Sequence, residues 1–199
     1  MSKEYRLIGL TGPTGSGKSA VSHIFEENGF ASVDADKIAH KALCDKECIK
    51  KLTEAFGTDI LSKDDTINRK ALAKVAFSNK ENTELLNSIT HPVIIALSLN
   101  EFEDLSLKGY KNIIFDAPTL FEANMDKMCD LIISVIAPKE LRLERILNRD
   151  NITEEQAYAR IKAQKEDSFY TDKSNFVIVN DKDFDTLLSN TNKIIKEII

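Results

Sequence analysis

The octapeptide Gly12-Pro13-Thr14-Gly15-Ser16-Gly17-Lys18-Ser19 follows directly on the apolar run Arg6–Thr11. Gly9, Gly12, Gly15 and Gly17 are four of the seven glycines in the chain, so backbone freedom is concentrated in this one stretch. Gly-x4-Gly-Lys-Ser is the Walker A pattern. Its glycines let backbone N–H groups wrap phosphates, its lysine reaches the outer phosphates, and its hydroxyl sits on Mg²⁺. Such a loop joins a strand to a helix whose positive dipole end faces the anion. The apolar run before it reads as that strand. Val21, Ile24 and Phe25 give the helical spacing after it, and Gly29 is the expected C-terminal cap. The expected nucleotide contacts are Gly12, Gly15, Ser16, Gly17, Lys18, Ser19 and Ala20.

Four further apolar runs read as strands: Ala31–Val33, Asn112–Phe115, Leu131–Ile136 and Phe176–Val179. They lack the polar alternation of a one-sided sheet, as parallel strands covered on both faces do. Helical patterns separate them. The expected class is α/β, a P-loop three-layer α/β/α core on a five-stranded parallel sheet. Core segments are expected at about 1–36, 110–138 and 174–199. Residues 37–109 hold more helix than a simple crossover needs and read as a substrate-binding insertion. Residues 139–173 read as a lid, in which Thr153-Glu154-Glu155-Gln156 has the form of a capping box that starts a helix through Tyr158 and Ile161.

The net charge of −5 argues against a nucleic-acid or membrane-surface partner, since both require a cationic face. Cys44, Cys48 and Cys129 have no framework spacing and read as reduced thiols, the first two one turn apart on a helix. The basic start lacks a cleavage site, and the apolar run from Leu131 to Ala137 is too short for a bilayer span. A cytoplasmic chain is expected, with a monomer as its default state.

The guanine-recognition pattern Asn-Lys-x-Asp and the switch pattern Asp-x-x-Gly are absent from the sequence. That turns the reading from a molecular switch to a small-molecule kinase with ATP as donor. Asp34-Ala35-Asp36 ends the second strand, and ligands bind at the carboxyl ends of parallel strands. A carboxylate there suits a base that takes the proton of an attacking hydroxyl. Asp36 is chosen for that role and Asp34 for support, the pair pointing to opposite faces if still extended. Asp116 ends the third strand, where a carboxylate either steadies through water the Mg²⁺ that Ser19 would ligate, or serves as a structural acceptor.

Lysines outnumber arginines 21 to 6, yet Arg142, Arg145, Arg149 and Arg160 fall within one stretch of 19 residues. The first three have helical i, i+3, i+7 spacing. One reading is a solvated face paired with Glu140 and Glu144. The other is a lid whose planar guanidinium groups suit the spread charge of a transferring phosphoryl group.

Taken together, these pieces resemble the dephospho-coenzyme A kinase family. The resemblance rests on Gly-Leu-Thr-Gly-x-x-Gly-Ser-Gly-Lys-Ser at 9–19, Asp-Ala-Asp-x-x-Ala at 34–39, Phe56-Gly57, Asn68-Arg69 with Leu72, and Leu86-Asn87 leading into His91-Pro92. It continues in Pro118-x-Leu120-Phe121-Glu122, Arg145-x3-Arg149-Asp150, Arg160-Ile161-x2-Gln164 and Val177-Ile178-x-Asn180. The resemblance implies transfer of the ATP γ-phosphate to the 3′-hydroxyl of the dephospho-coenzyme A ribose. It also implies an adenylate-kinase-like core, a helical coenzyme A lobe and a lid. Lys18, Asp36, Arg145 and Arg149 would be the catalytic set; Arg69 and His91, with Asp34 and Asp36, would face the acceptor. His91, before a proline at a helix end, has the alternative of shaping the turn.

The chain departs from the family pattern at Pro13-Thr14, at His40 where an arginine is usual, at Thr119, and at Ser174-Asn175 where Ala-Asp is usual. The rival readings are a nucleoside or nucleotide kinase, a tRNA prenyltransferase with a similar loop, and a regulatory nucleotide-binding module.

Overall fold

The computed structural model describes residues 4–199. The order is β1 (Arg6–Thr11), α1 (Lys18–Glu27), β2 (Ala31–Asp34), then four helices: α2 (Ala35–Ala42), α3 (Lys46–Phe56), α4 (Arg69–Ala76) and α5 (Lys80–Leu107). The chain returns through β3 (Asn112–Asp116), β4 (Leu131–Ile136), α6 (Lys139–Asp150), α7 (Glu154–Lys162), α8 (Asp167–Thr171), β5 (Phe176–Val179) and α9 (Phe184–Ile198). It divides into two compact units, one of residues 1–34 and 104–199, the other of residues 35–103.

In the first unit the five strands form one parallel sheet in the order β2-β3-β1-β4-β5. All five expected strands are present, β2 and β3 each one residue longer, at Asp34 and Asp116. Ile8, Leu10, Ile114, Ile133, Val135 and Ile178 pack with Val21, Ile24 and Phe25 of α1 and with Leu187, Ile194, Ile195 and Ile198 of α9. Leu7, Ile113, Phe115 and Ile132 alternate with these and are buried too. Both faces are therefore dry, which explains strands without a polar stripe. Each such side chain, fully buried, contributes about 1.5–3 kcal/mol.

Helix α1 ends as its sequence indicates. Gly29, at φ 85°, donates to Glu26 O, and Phe30 N–H donates to Phe25 O. The rings of Phe25 and Phe30 meet edge to face at 5.0 Å. This is a Schellman closure with its apolar contact, and only a left-handed residue completes it.

Two side chains lengthen the sheet ladder at its N-terminal end. Asp130 Oδ2 accepts from Leu7 N–H at 2.6 Å. Asn175 Oδ1 accepts from Ile132 N–H at 2.7 Å, while Asn175 N–H donates to Ile132 O at 2.9 Å. An amide oxygen at 175 thus accepts as a carboxylate would, so the departure from the usual aspartate costs the strand no acceptor.

The second unit has its own core. Cys48, Leu52, Ile60, Leu72 and Ala76 are buried against Leu86, Ile89 and Val93. Cys44 and Cys48 do not share a helix as the sequence suggested. Asp45 caps α3 by accepting from Cys48 N–H at 2.8 Å, which separates the two thiols. Burial pushes the Cys48 thiol pKa up.

His91-Pro92 lies inside α5 rather than at the expected helix end. Proline disfavours the helical state for its predecessor and removes one backbone donor. Here the helix runs on, and hydroxyl groups make local bonds in the turn before it: Thr90 Oγ1 donates to Leu86 O at 2.9 Å and Ser88 Oγ to Leu85 O at 2.8 Å.

Candidate active site

The loop of residues 12–17 leaves the end of β1 and enters α1 at Gly17, whose φ is 99°. Helix α1 has no side-chain N-cap and no acidic residue in its first turn. Its leading N–H groups lack intrahelical acceptors by construction, so this end of the helix offers donors and positive potential to an anion. A cavity of about 220 Å³ stands over it, lined by Thr14, Gly15, Gly17, Lys18, Ser19, Arg145 and Arg149. Gly12 and Ser16 are buried in the loop, and Ala20 follows in the first turn of α1.

Two glycines show why the pattern is needed. Gly12 has φ 139°, and a Cβ there would run into the carbonyl oxygen of Val135 on β4. At Gly17 a Cβ would run into the amide of Asn180. Replacing Gly12 by Ala is expected to lower stability by at least about 1–3 kcal/mol, the usual cost of a strained backbone. A urea midpoint equal to that of the wild type would contradict this close approach.

The carbonyl groups of the loop are held from outside. Arg142 Nε donates to Thr14 O at 2.9 Å. Arg145 Nη1 donates to Gly15 O at 3.3 Å and to Ser16 O at 3.4 Å. Asn180 Nδ2 donates to Ser16 O at 2.8 Å, and Arg145 Nη2 reaches Asn180 O and Oδ1, each at 3.3 Å. A planar peptide points its N–H opposite to its C=O, so drawing carbonyls outward turns N–H groups inward.

The arginine face of α6 thus grades from structure to solvent. Arg142 is 1% exposed and stands 3.6 Å from Asp167. Burial pushes its pKa down, and Asp167, Tyr170 and Glu166 push it back up. The Tyr170 hydroxyl beside it is pushed up to about 12, first by burial and next by Glu122. Arg145 is half-buried under the loop. Arg149 is exposed and grips Asp150 through two bonds of 2.6 and 3.0 Å. That bond holds the Asp150 pKa below the usual carboxylate range, helped by Arg160. Among the described residues, the partners of these arginines are backbone carbonyls, Gln164, Asp167, Asn180 and Asp150, not the solvated pairing with Glu140 and Glu144.

Three carboxylates were expected near the loop. Asp116 stands in register with Leu10 of β1 on one side and with Asp34 of β2 on the other. Two carboxylates therefore share the sheet edge from which the loop departs. A serine hydroxyl, such as that of Ser19 in the donor cavity, and carboxylates are the hard oxygen donors that Mg²⁺ takes. Asp36 is not extended: the strand stops at Asp34, and Asp36 lies in the first turn of α2. The boundary between the units falls between Asp34 and Ala35.

The second unit carries its own cavity of about 590 Å³. Leu43, Leu72, Phe77, Leu86 and Ile94 line it with Arg69 and Lys70. Asn68 caps α4 by accepting from Ala71 N–H at 3.2 Å, which puts Arg69 and Lys70 in the opening turn of the helix. His91 is not part of the lining, although its neighbour Thr90 is. Burial pushes the imidazole pKa down, which favours the neutral form of His91.

Sequence reasoning passed over three residues here. Spacing alone groups Arg142 with the lid arginines, whereas it braces the loop. Gln164 and Asn180 entered only as motif members, with no role. Their signal lies in distance: they stand 150 and 164 positions from the loop atoms they hold, beyond any local pattern.

A family model described as dephospho-CoA kinase matches residues 6–186. A dephospho-CoA kinase of Fusobacterium nucleatum is 40% identical over 193 residues, covering 96% of this chain and 98% of that protein. A dephospho-CoA kinase structure from Campylobacter jejuni is 32% identical with a TM-score of 0.71, over 96% of each chain. A crystal structure of a Thermus thermophilus protein gives a TM-score of 0.87 at 27% identity, over 99% of each chain.

Proposed function

This chain belongs to the dephospho-CoA kinase family, and we propose that it transfers the γ-phosphate of ATP to the 3′-hydroxyl of the dephospho-coenzyme A ribose, giving coenzyme A and ADP. The observation that carries this reading is the donor cavity. Loop residues, Lys18 and two arginines converge there on a helix N-terminus that has no cap of its own.

The acceptor oxygen attacks the γ-phosphorus, the bond to the β–γ bridging oxygen breaks, and ADP leaves. Asp36 takes the proton of the hydroxyl, with Asp34 in support. Lys18 and the loop N–H groups balance charge on the outer phosphates, and Arg145 and Arg149 are disposed to meet the charge that spreads over the equatorial oxygens. Ser19 and Asp116 would hold Mg²⁺, which when bound would neutralise phosphate charge.

The cavity of the second unit suits the other substrate. Its apolar walls match the long pantetheine arm, and Arg69 and Lys70 in its lining match a pyrophosphate.

One coupled assay tests the reading: ADP release with ATP plus dephospho-coenzyme A, adenosine, AMP or CMP. Turnover is expected with dephospho-coenzyme A, and ³¹P NMR of the product should report a 3′-phosphomonoester. Turnover with AMP or CMP and none with dephospho-coenzyme A would overturn it in favour of a nucleotide kinase.

A further inference from the structure

Loop residue 14 differs from its neighbours in that both of its backbone polar groups are held from outside the loop. Its carbonyl accepts from Arg142 Nε at 2.9 Å. Its N–H donates to Gln164 Oε1 at 3.0 Å, and the same oxygen accepts from Arg142 Nη2 at 2.7 Å. Three hydrogen bonds thus close a ring through Thr14, Gln164 and Arg142. Both partners of Oε1 are donors, so the side-chain amide presents its oxygen and not its NH₂.

The ring is well anchored. Arg142 is fully buried, and Gln164 follows directly on Ala163, the C-cap of α7. Helices α6 and α7 share a small core of Ile146, Ala157 and Ile161. The orientation of the residue 14 backbone, which lines the donor cavity, therefore depends on how the end of α7 is held. Nothing in the chemistry proposed above uses Gln164.

We propose that Gln164 is a positioning residue for the phosphate donor: through Oε1 as a double acceptor it fixes the residue 14 backbone, so the loop holds its phosphate-binding shape only while the α6–α7 segment is in place. This rests on the reading of the loop as the ATP site. The role needs an acceptor oxygen at that reach and nothing more.

Three variants test it in the full-length protein by calorimetric ATP binding, each checked for folding by its thermal midpoint. Gln164→Met keeps the shape and removes the acceptor, and about tenfold weaker ATP binding is expected, the usual scale for an unsatisfied buried donor. Gln164→Asn keeps the polarity but withdraws the oxygen by one methylene; the same weakening is expected, and it serves if the Met variant does not fold. Gln164→Glu restores two acceptor lone pairs beside Arg142 and is expected within about threefold of the wild type.

Wild-type ATP affinity in folded Gln164→Met or Gln164→Asn overturns the proposal. So does a Gln164→Glu variant as weak as these two, which would make the residue a packing element. ATP affinity is read without any acceptor, so a failure of the dephospho-coenzyme A assignment leaves this test intact. A wild-type chain that binds no ATP overturns both.

Discussion

Asp36→Asn is expected to lose about 10²–10⁴ in kcat while keeping its ATP affinity, the range that proton transfer by a positioned side chain contributes. The carboxylate lies in the first turn of α2 and is exposed, whereas the donor cavity is built wholly by residues of the first unit. Removing its basicity therefore leaves every group that lines the cavity in place. Asparagine keeps size and a hydrogen-bond acceptor, so folding should be unaffected. Turnover would be followed by ADP release and affinity by calorimetry in the absence of acceptor. A variant that loses ATP binding or its thermal midpoint would make Asp36 a structural cap. One with wild-type kcat would pass the base role elsewhere, with Asp34 the first residue to examine.

Lys18→Ala is the second large effect: kcat should fall about 10²–10³-fold, the scale for removing one preorganised electrostatic donor from a developing negative charge. Lys18 is the first residue of α1 and lines the cavity beside Arg145 and Arg149. Its loss takes a cation from the site and leaves in place the braces from Arg142, Arg145 and Asn180 to the loop carbonyls. Single-turnover kinetics at saturating ATP separate this from weaker binding. An unchanged rate of the chemical step would contradict the assigned role of the lysine.

The parts of the fold that were legible in the sequence are those fixed by local physics. Walker A spacing, the apolar strands, the Gly29 cap and the Thr153–Gln156 capping box each depend on a few neighbouring residues, and each is in place. What was not legible depends on contacts between distant segments. The i, i+3, i+7 arginines share a helix face, but that periodicity cannot say that Arg142 is buried against Thr14 and Gln164 while Arg149 faces water. His91-Pro92 misled because proline ends helices on average, and packing around α5 overrode that tendency. Cys44 and Cys48 misled because i, i+4 spacing does not reveal an N-cap at Asp45 between them.

The strand order carries a consequence for how the chain is made. β1 is synthesised before the other four strands, and it occupies the middle of the sheet. Its two neighbours come much later: Arg6 pairs in register with Asn112, and Ile8 with Leu131. At ordinary translation speed that separation is on the order of 5–20 s of synthesis. For that interval a six-residue apolar strand with open hydrogen-bonding edges has no sheet to join, and the glycine loop behind it has none of the arginines that shape it. Residues 35–103, with a core of their own, are all synthesised before Asn112 of β3.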